Sequence, residues 1–132
     1  MGVIVINFYG GPLPLAATAG EPAPILIESS GTTQNSIAGE LDITATPSGG
    51  LAPYTFSWAL TETDDADNAF TISSTGTTNA ATYNDAVFTA NMPPSALDPP
   101  FQAIYSVACT VTDSNGDSVT VTKLASLTAR KL

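Results

Sequence analysis

The chain has 132 residues and a mass of 13.5 kDa, which is enough for one domain with a single modest core. Hydrophobic residues make up 43% and charged residues 11%, too apolar for a disordered chain and poor in the Lys, Glu, Arg and Leu from which surface helices are made. The formal net charge is −9, with three basic residues and no histidine. No basic stripe exists to displace counterions from nucleic acid, anionic membranes offer no attraction, and the usual base for a Ser or Cys nucleophile is missing.

Taken in chain order, Val3-Ile4-Val5-Ile6-Asn7-Phe8-Tyr9 reads as a strand without a polar face, followed by Gly10-Gly11-Pro12 and an Ala/Gly/Pro stretch ending at Pro24. Ile25-Leu26-Ile27 is a second apolar run. Residues 1–36 are therefore expected to form an extended N-terminal arm and a first strand, and residues 37–132 a sandwich. No basic residue precedes the short apolar run at 3–6, so it lacks the form of a secretory leader, and no segment reaches membrane-spanning length.

Leu41, Ile43 and Ala45 alternate with polar residues, as a half-buried strand does, and Pro47-Ser48-Gly49-Gly50 follows as a turn. Tyr54, Phe56, Trp58 and Leu60 alternate with small residues and give the strongest strand signal. An acidic loop is expected at 62–68, then short strands at Phe70/Ile72 and at 86–89. Pro93-Pro94 and Pro99-Pro100 bound a stretch that cannot be a central strand. Tyr105, Val107, Cys109 and Val111 alternate once more. Asp113-Ser114-Asn115-Gly116 then turns the chain into Val119 and Val121, closing a hairpin. Many short strands at this spacing, with no internal repeat, predict an all-β antiparallel sandwich.

Gly49-Gly50-Leu51-Ala52-Pro53-Tyr54-Thr55-Phe56-Ser57-Trp58 resembles a turn-and-strand region of polycystic-kidney-disease-type (PKD-like) immunoglobulin-like domains. Tyr105 through Gly116 resembles a later strand and turn of the same family. The resemblance spans residues 37–122 and implies an immunoglobulin-like β-sandwich; it carries no activity with it. One departure is that Thr61-Glu62-Thr63-Asp64-Asp65 replaces the family's usual acidic-glycine turn. The expected core is Trp58, Phe56, Tyr105, Val107, Cys109 and Val111. Tyr105 is placed two residues before an inward valine, as in a tyrosine corner whose hydroxyl bonds back to the chain.

Cys109 alternates with valines and is read as a core residue; as the only cysteine it can make no intrachain disulfide. Catalysis is not expected, for want of a nucleophile–base pair or a phosphate loop. Asp64, Asp65 and Asp67 crowd one loop, and Asp113, Asn115 and Asp117 fall at alternate positions, as in a calcium loop. A distal bidentate Glu is lacking, so plain turns are expected and no cofactor.

The functional expectation is a non-enzymatic structural protein of a tailed-bacteriophage virion, a capsid decoration or tail-associated subunit. Its partners would be capsid or tail subunits or a second copy, with neither nucleic acid nor membrane. Val3, Ile4, Val5, Ile6, Phe8 and Tyr9 would form the assembly interface. The alternative is an adhesion or carbohydrate-binding accessory module of a secreted bacterial protein, located extracellularly.

Overall fold

The computed structural model describes residues 13–29, 34–38, 41–65, 69–74, 79–91 and 101–131. Among these the chain forms ten strands: β1 (Ala16–Ala19), β2 (Ile25–Ser29), β3 (Gln34–Ala38), β4 (Ile43–Ser48), β5 (Thr55–Asp64), β6 (Phe70–Ser74), β7 (Thr82–Tyr83), β8 (Ala86–Asn91), β9 (Phe101–Thr112) and β10 (Ser118–Lys131). The expected strand at 3–9 lies outside the described residues.

One layer is a four-stranded sheet ordered β2-β10-β9-β5. The other consists of two ladders, β1-β4-β7 and β3-β8-β6. In this layer Ala38 pairs with Val87 in one ladder and Ile43 with Tyr83 in the other. The architecture is an all-β, immunoglobulin-like sandwich.

Alternation explains why these segments pair. On β9, Ala103, Tyr105, Val107, Cys109 and Val111 are all buried, while the intervening side chains lie on the outer face. From the facing layer Ile43, Ala45, Phe70, Tyr83, Ala86, Phe88 and Ala90 fill the same core. Two aromatic pairs lock the layers together. The Trp58 ring stacks on Tyr83 with centroids 5.5 Å apart, and Phe88 meets Tyr105 edge-on at 5.5 Å. Trp58 Nε1–H also donates to the Ala80 carbonyl at 2.8 Å, so its polar atom is satisfied inside. Phe56 is only half-buried, because it stands near the open end of edge strand β5.

Several features differ from the sequence reading. The Ala/Gly/Pro stretch contains β1, which pairs with β4, and Ile25–Ser29 pairs parallel with β10, so residues 16–29 belong to the sandwich and not to an arm. The sandwich is thus not wholly antiparallel. Gly20 to Pro24 carries the chain from one layer to the other, and Lys123 of β10 reaches Glu21 there at 3.2 Å. β5 continues to Asp64 with a bulge between Glu62 and Asp64, where a loop was expected from 62. Tyr105 sits well inside β9 with its ring in the core, not at a corner. The hydroxyl that bonds back to the chain is that of Tyr54, which donates to the Gly49 carbonyl at 2.6 Å.

Truncation of Trp58 removes the ring stack and leaves a cavity between the layers. Trp58→Ala is expected to cost about 3–5 kcal/mol in chemical denaturation, and native Trp58 should fluoresce as a buried indole. A marginal loss, with solvent-like native fluorescence, would contradict this packing.

Candidate functional site

At one end of the sandwich two turns are bound into a single unit by one carboxylate. Asp113 is 5% exposed, and its side chain accepts three backbone N–H groups: Leu51 at 3.1 Å, Asn115 at 3.0 Å and Asp117 at 3.0 Å. Ser114 adds its N–H and its hydroxyl to the Leu51 carbonyl, at 2.9 and 3.0 Å. Gly50 is needed here for two reasons. Its φ is +60°, and a Cβ would lie 2.7 Å from Asp113 Oδ2. The Gly50 N–H donates to the Leu13 carbonyl at 2.7 Å, which fixes where the described chain enters the sandwich. The two segments that carried the family resemblance are therefore the two halves of this one joint.

The joint also answers the calcium reading. Asp113, Asn115 and Asp117 do alternate, but the Asp113 oxygens are turned onto backbone amides, the geometry of a side-chain-closed turn. In the other acidic cluster, Asp65 accepts the amides of Ala69 and Phe70, both at 3.0 Å, and so closes the crossing to β6. Asp64 lies on β5, and Asp67 is outside the described residues. Among the described residues no group of three or more acidic or Cys side chains is arranged to hold a metal ion.

The expected assembly residues Val3, Ile4, Val5, Ile6, Phe8 and Tyr9 lie outside the described residues. Of the expected core set, Trp58, Tyr105, Val107, Cys109 and Val111 are buried together, and Phe56 borders them. Burial pushes the Cys109 thiol up, against a smaller lowering from a Ser57 backbone hydrogen bond, so it is a poor nucleophile at neutral pH. Tyr105 is pushed up to about 12 by burial first, then by the negative charges of Glu62 and Asp65.

A surface that sequence reading passed over is the outer face of the β2-β10-β9-β5 sheet. Register places Thr55, Thr112 and Ser118 in one row across three strands, and Ser57, Thr110 and Thr120 in the next. Within these rows Thr110 and Thr120 share a hydroxyl–hydroxyl bond of 2.9 Å, and Thr112 and Ser118 one of 2.7 Å. Farther along come Ala59, Ala108 and Thr122, then exposed Leu124 and Ile104, with exposed Leu26 on β2. A shallow depression opens there between Asp64, Gln102, Ile104, Ser126 and Thr128. The period-2 alternation that marked the buried face also marked this one, but a Ser/Thr face looks like ordinary solvated surface until the strands are placed side by side.

No family model matches the chain, and no curated protein matches it. Among solved structures it is similar to murine CRIg, with 13% identity over 89% of this chain and 99% of that one, at a TM-score of 0.37. It is also similar to a nucleoside hydrolase-related hypothetical protein from Saccharophagus degradans associated with carbohydrate metabolism (11% identity, 96% of this chain and 27% of that one, TM-score 0.34). A family 123 glycoside hydrolase from Clostridium perfringens matches at 12% identity, over 90% of this chain and 28% of that one, with a TM-score of 0.31. The chain thus spans about a quarter of those two proteins. At these scores none of the three bears on function.

Removing the Asp113 carboxylate strands three amides at once. Asp113→Ala is expected to destabilise the fold by about 2–4 kcal/mol, while thermal melts of the unaltered protein in millimolar calcium and in chelator coincide. A calcium-dependent rise in melting temperature that Asp113→Ala abolishes would overturn the turn assignment. For Tyr105 the folded pKa of about 12 lies above the ordinary tyrosine value of 10.0. The neutral phenol's contribution to stability is therefore complete below pH 10 and is lost as pH rises from 10 toward 12. Alkaline titration of phenolate absorbance should show one late step that is missing in Tyr105→Phe; a late step that persists in that variant would contradict the assignment.

Proposed function

We propose that this chain is a non-enzymatic structural subunit, a PKD-like immunoglobulin-like domain carried on the virion of a tailed bacteriophage as a capsid decoration or tail-associated protein. In this reading it docks onto a larger assembly through its N-terminal arm and a sandwich edge. The observation that carries the reading is the seat of Leu13. Its carbonyl is tied to Gly50 at the Asp113 joint, and residues 13–131 supply a core filled from both layers. The apolar run Val3-Ile4-Val5-Ile6 precedes this seat in the sequence, and in this reading it serves the assembly. An apolar strand with no polar face is an aggregation hazard unless it adds to a sheet, and adding to a neighbour's sheet turns the hazard into a connector.

The edge on offer is β5, ten residues long and outermost in its sheet. The PKD-like reading is supported by the joint itself, since the Gly49–Tyr54 and Asp113–Gly116 segments depend on each other physically. The alternative of a carbohydrate-binding module lacks its usual platform. Among the described residues every aromatic side chain is buried or half-buried, leaving no exposed ring on which a sugar would stack.

Deletion of residues 1–12 spares Leu13 and the joint. The truncated chain is expected to keep its melting temperature and to be absent from purified particles in which mass spectrometry finds the full chain. Unfolding of the truncated chain, or its normal incorporation, would contradict the proposal.

A further inference from the structure

We propose that Asn115 is a site of spontaneous covalent modification, deamidation through a cyclic imide, and that the Asp113 joint sets its rate. Asn115-Gly116 is the sole Asn-Gly pair of the chain; every other asparagine precedes a residue with a side chain. Both residues are exposed at the tip of the β9-β10 hairpin. Gly116 has a φ of +91°, and the turn needs glycine for that reason alone. Apart from its chain neighbours, no atom lies within 4 Å of where its Cβ would stand. The same missing side chain leaves the Gly116 nitrogen open to the neighbouring carboxamide. The pair that makes the turn therefore also makes it reactive. In the reaction the Gly116 amide gives its proton to solvent base, and its nitrogen attacks Asn115 Cγ. A C–N bond forms, the bond from Cγ to the side-chain nitrogen breaks, and that nitrogen takes up a proton and leaves as ammonia. Water then adds to either carbonyl of the imide. One opening gives aspartate, the other isoaspartate, whose main chain runs through the side-chain methylene.

The folded turn opposes this attack. To reach Cγ, the Gly116 nitrogen must swing about the bond between Asn115 Cα and its carbonyl carbon. That nitrogen is already committed, since Gly116 N–H donates to the Asp113 carbonyl at 3.1 Å. On either side of it, Asn115 N–H and Asp117 N–H both donate to Asp113 Oδ1 at 3.0 Å, and Asp113 N–H donates to the Asp117 carbonyl at 2.9 Å. The swing breaks the first bond and drags on the others. The attacking nitrogen also carries negative charge, which the Asp113 carboxylate held between the flanking amides disfavours. Asp113 is thus a positioning residue, keeping the attacking atom turned inward. Release of one such hydrogen bond is worth roughly a factor of ten in rate. The product acts back on the joint. Isoaspartate lengthens the main chain between the two amides that Asp113 Oδ1 holds, so the carboxylate loses part of its grip on the turn.

The test incubates the full chain in mildly alkaline buffer and follows each asparagine by peptide mass spectrometry, with isoaspartate measured separately. In urea-unfolded protein Asn115 is expected to convert before any other asparagine. In native protein the same conversion should run roughly tenfold slower, the factor set by one turn hydrogen bond. This comparison needs no variant to fold. Asp113→Ala, kept in native buffer, should raise the rate at Asn115 toward the unfolded value. Trp58→Ala weakens the fold at least as much without touching the turn, so it should leave the native rate unchanged. That contrast separates a guard on the turn from general stability. Native protein aged until Asn115 is converted should melt at a lower temperature than fresh protein. Equal rates in native and unfolded chains, no preference for Asn115 in urea, acceleration by Trp58→Ala equal to that by Asp113→Ala, or an unchanged melt after conversion would each overturn the proposal.

Discussion

The fold depends on one buried carboxylate. Asp113 lies at the end of the inward-facing row of β9, where the next position would otherwise hold an apolar residue, and it replaces packing with three hydrogen bonds to backbone. Two of these shape its own turn and the third reaches the segment that leads into β5. A carboxylate accepting several amides is a strong and directional device, and it is costly if left half-made. This one sets the hairpin β9-β10 and the entry to the Trp58 strand with a single side chain, and Gly50 beside it holds the Leu13 carbonyl. A domain without a disulfide gains here a fixed point that apolar packing alone does not define.

The core supplies the rest of the cohesion. Trp58 on Tyr83 and Phe88 against Tyr105 are contacts made across the gap between layers, one from β5 and one from β9. Cys109 lies opposite Trp58 in the β5–β9 register and is fully buried, so it acts as a small hydrophobic residue beside the indole. Around this centre many side chains are small: Ala45, Ala86, Ala90, Ala103, Ala125 and Ala129 are all buried. Alanines let the layers close on the few large rings, and those rings therefore carry a disproportionate share of the packing.

Much of this was legible in the sequence because period-2 alternation is a local signal. The strands through Trp58 and through Cys109 announce themselves, and Asn115-Gly116 marks the hairpin turn. What stayed hidden depends on partners far away in the chain. Ala16–Ala19 is a strand only because β4 lies alongside, and nothing in Ala-Ala-Thr-Ala prefers one. The parallel pairing of β2 with β10 joins residues about a hundred apart. Asp113 read as an ordinary turn residue, since a carboxylate's burial is decided by the Gly50-Leu51 backbone opposite. The Ser/Thr-rich outer face was visible as alternating Ser and Thr on β5, β9 and β10, but its continuity emerges only once register aligns the rows.

The parallel pairing of β2 with β10 has a mechanical consequence. Ile25 is matched with Leu127 and Ser29's backbone with Lys131's, so the first strand of this sheet and the last strand of the chain point the same way. Tension applied between the two ends of the domain pulls β2 back and β10 forward, along their shared direction. The rungs between them are then loaded side by side in shear, and none can open like a zipper ahead of the rest. Load that reaches these two strands from opposite directions is therefore carried in shear along β2 and β10.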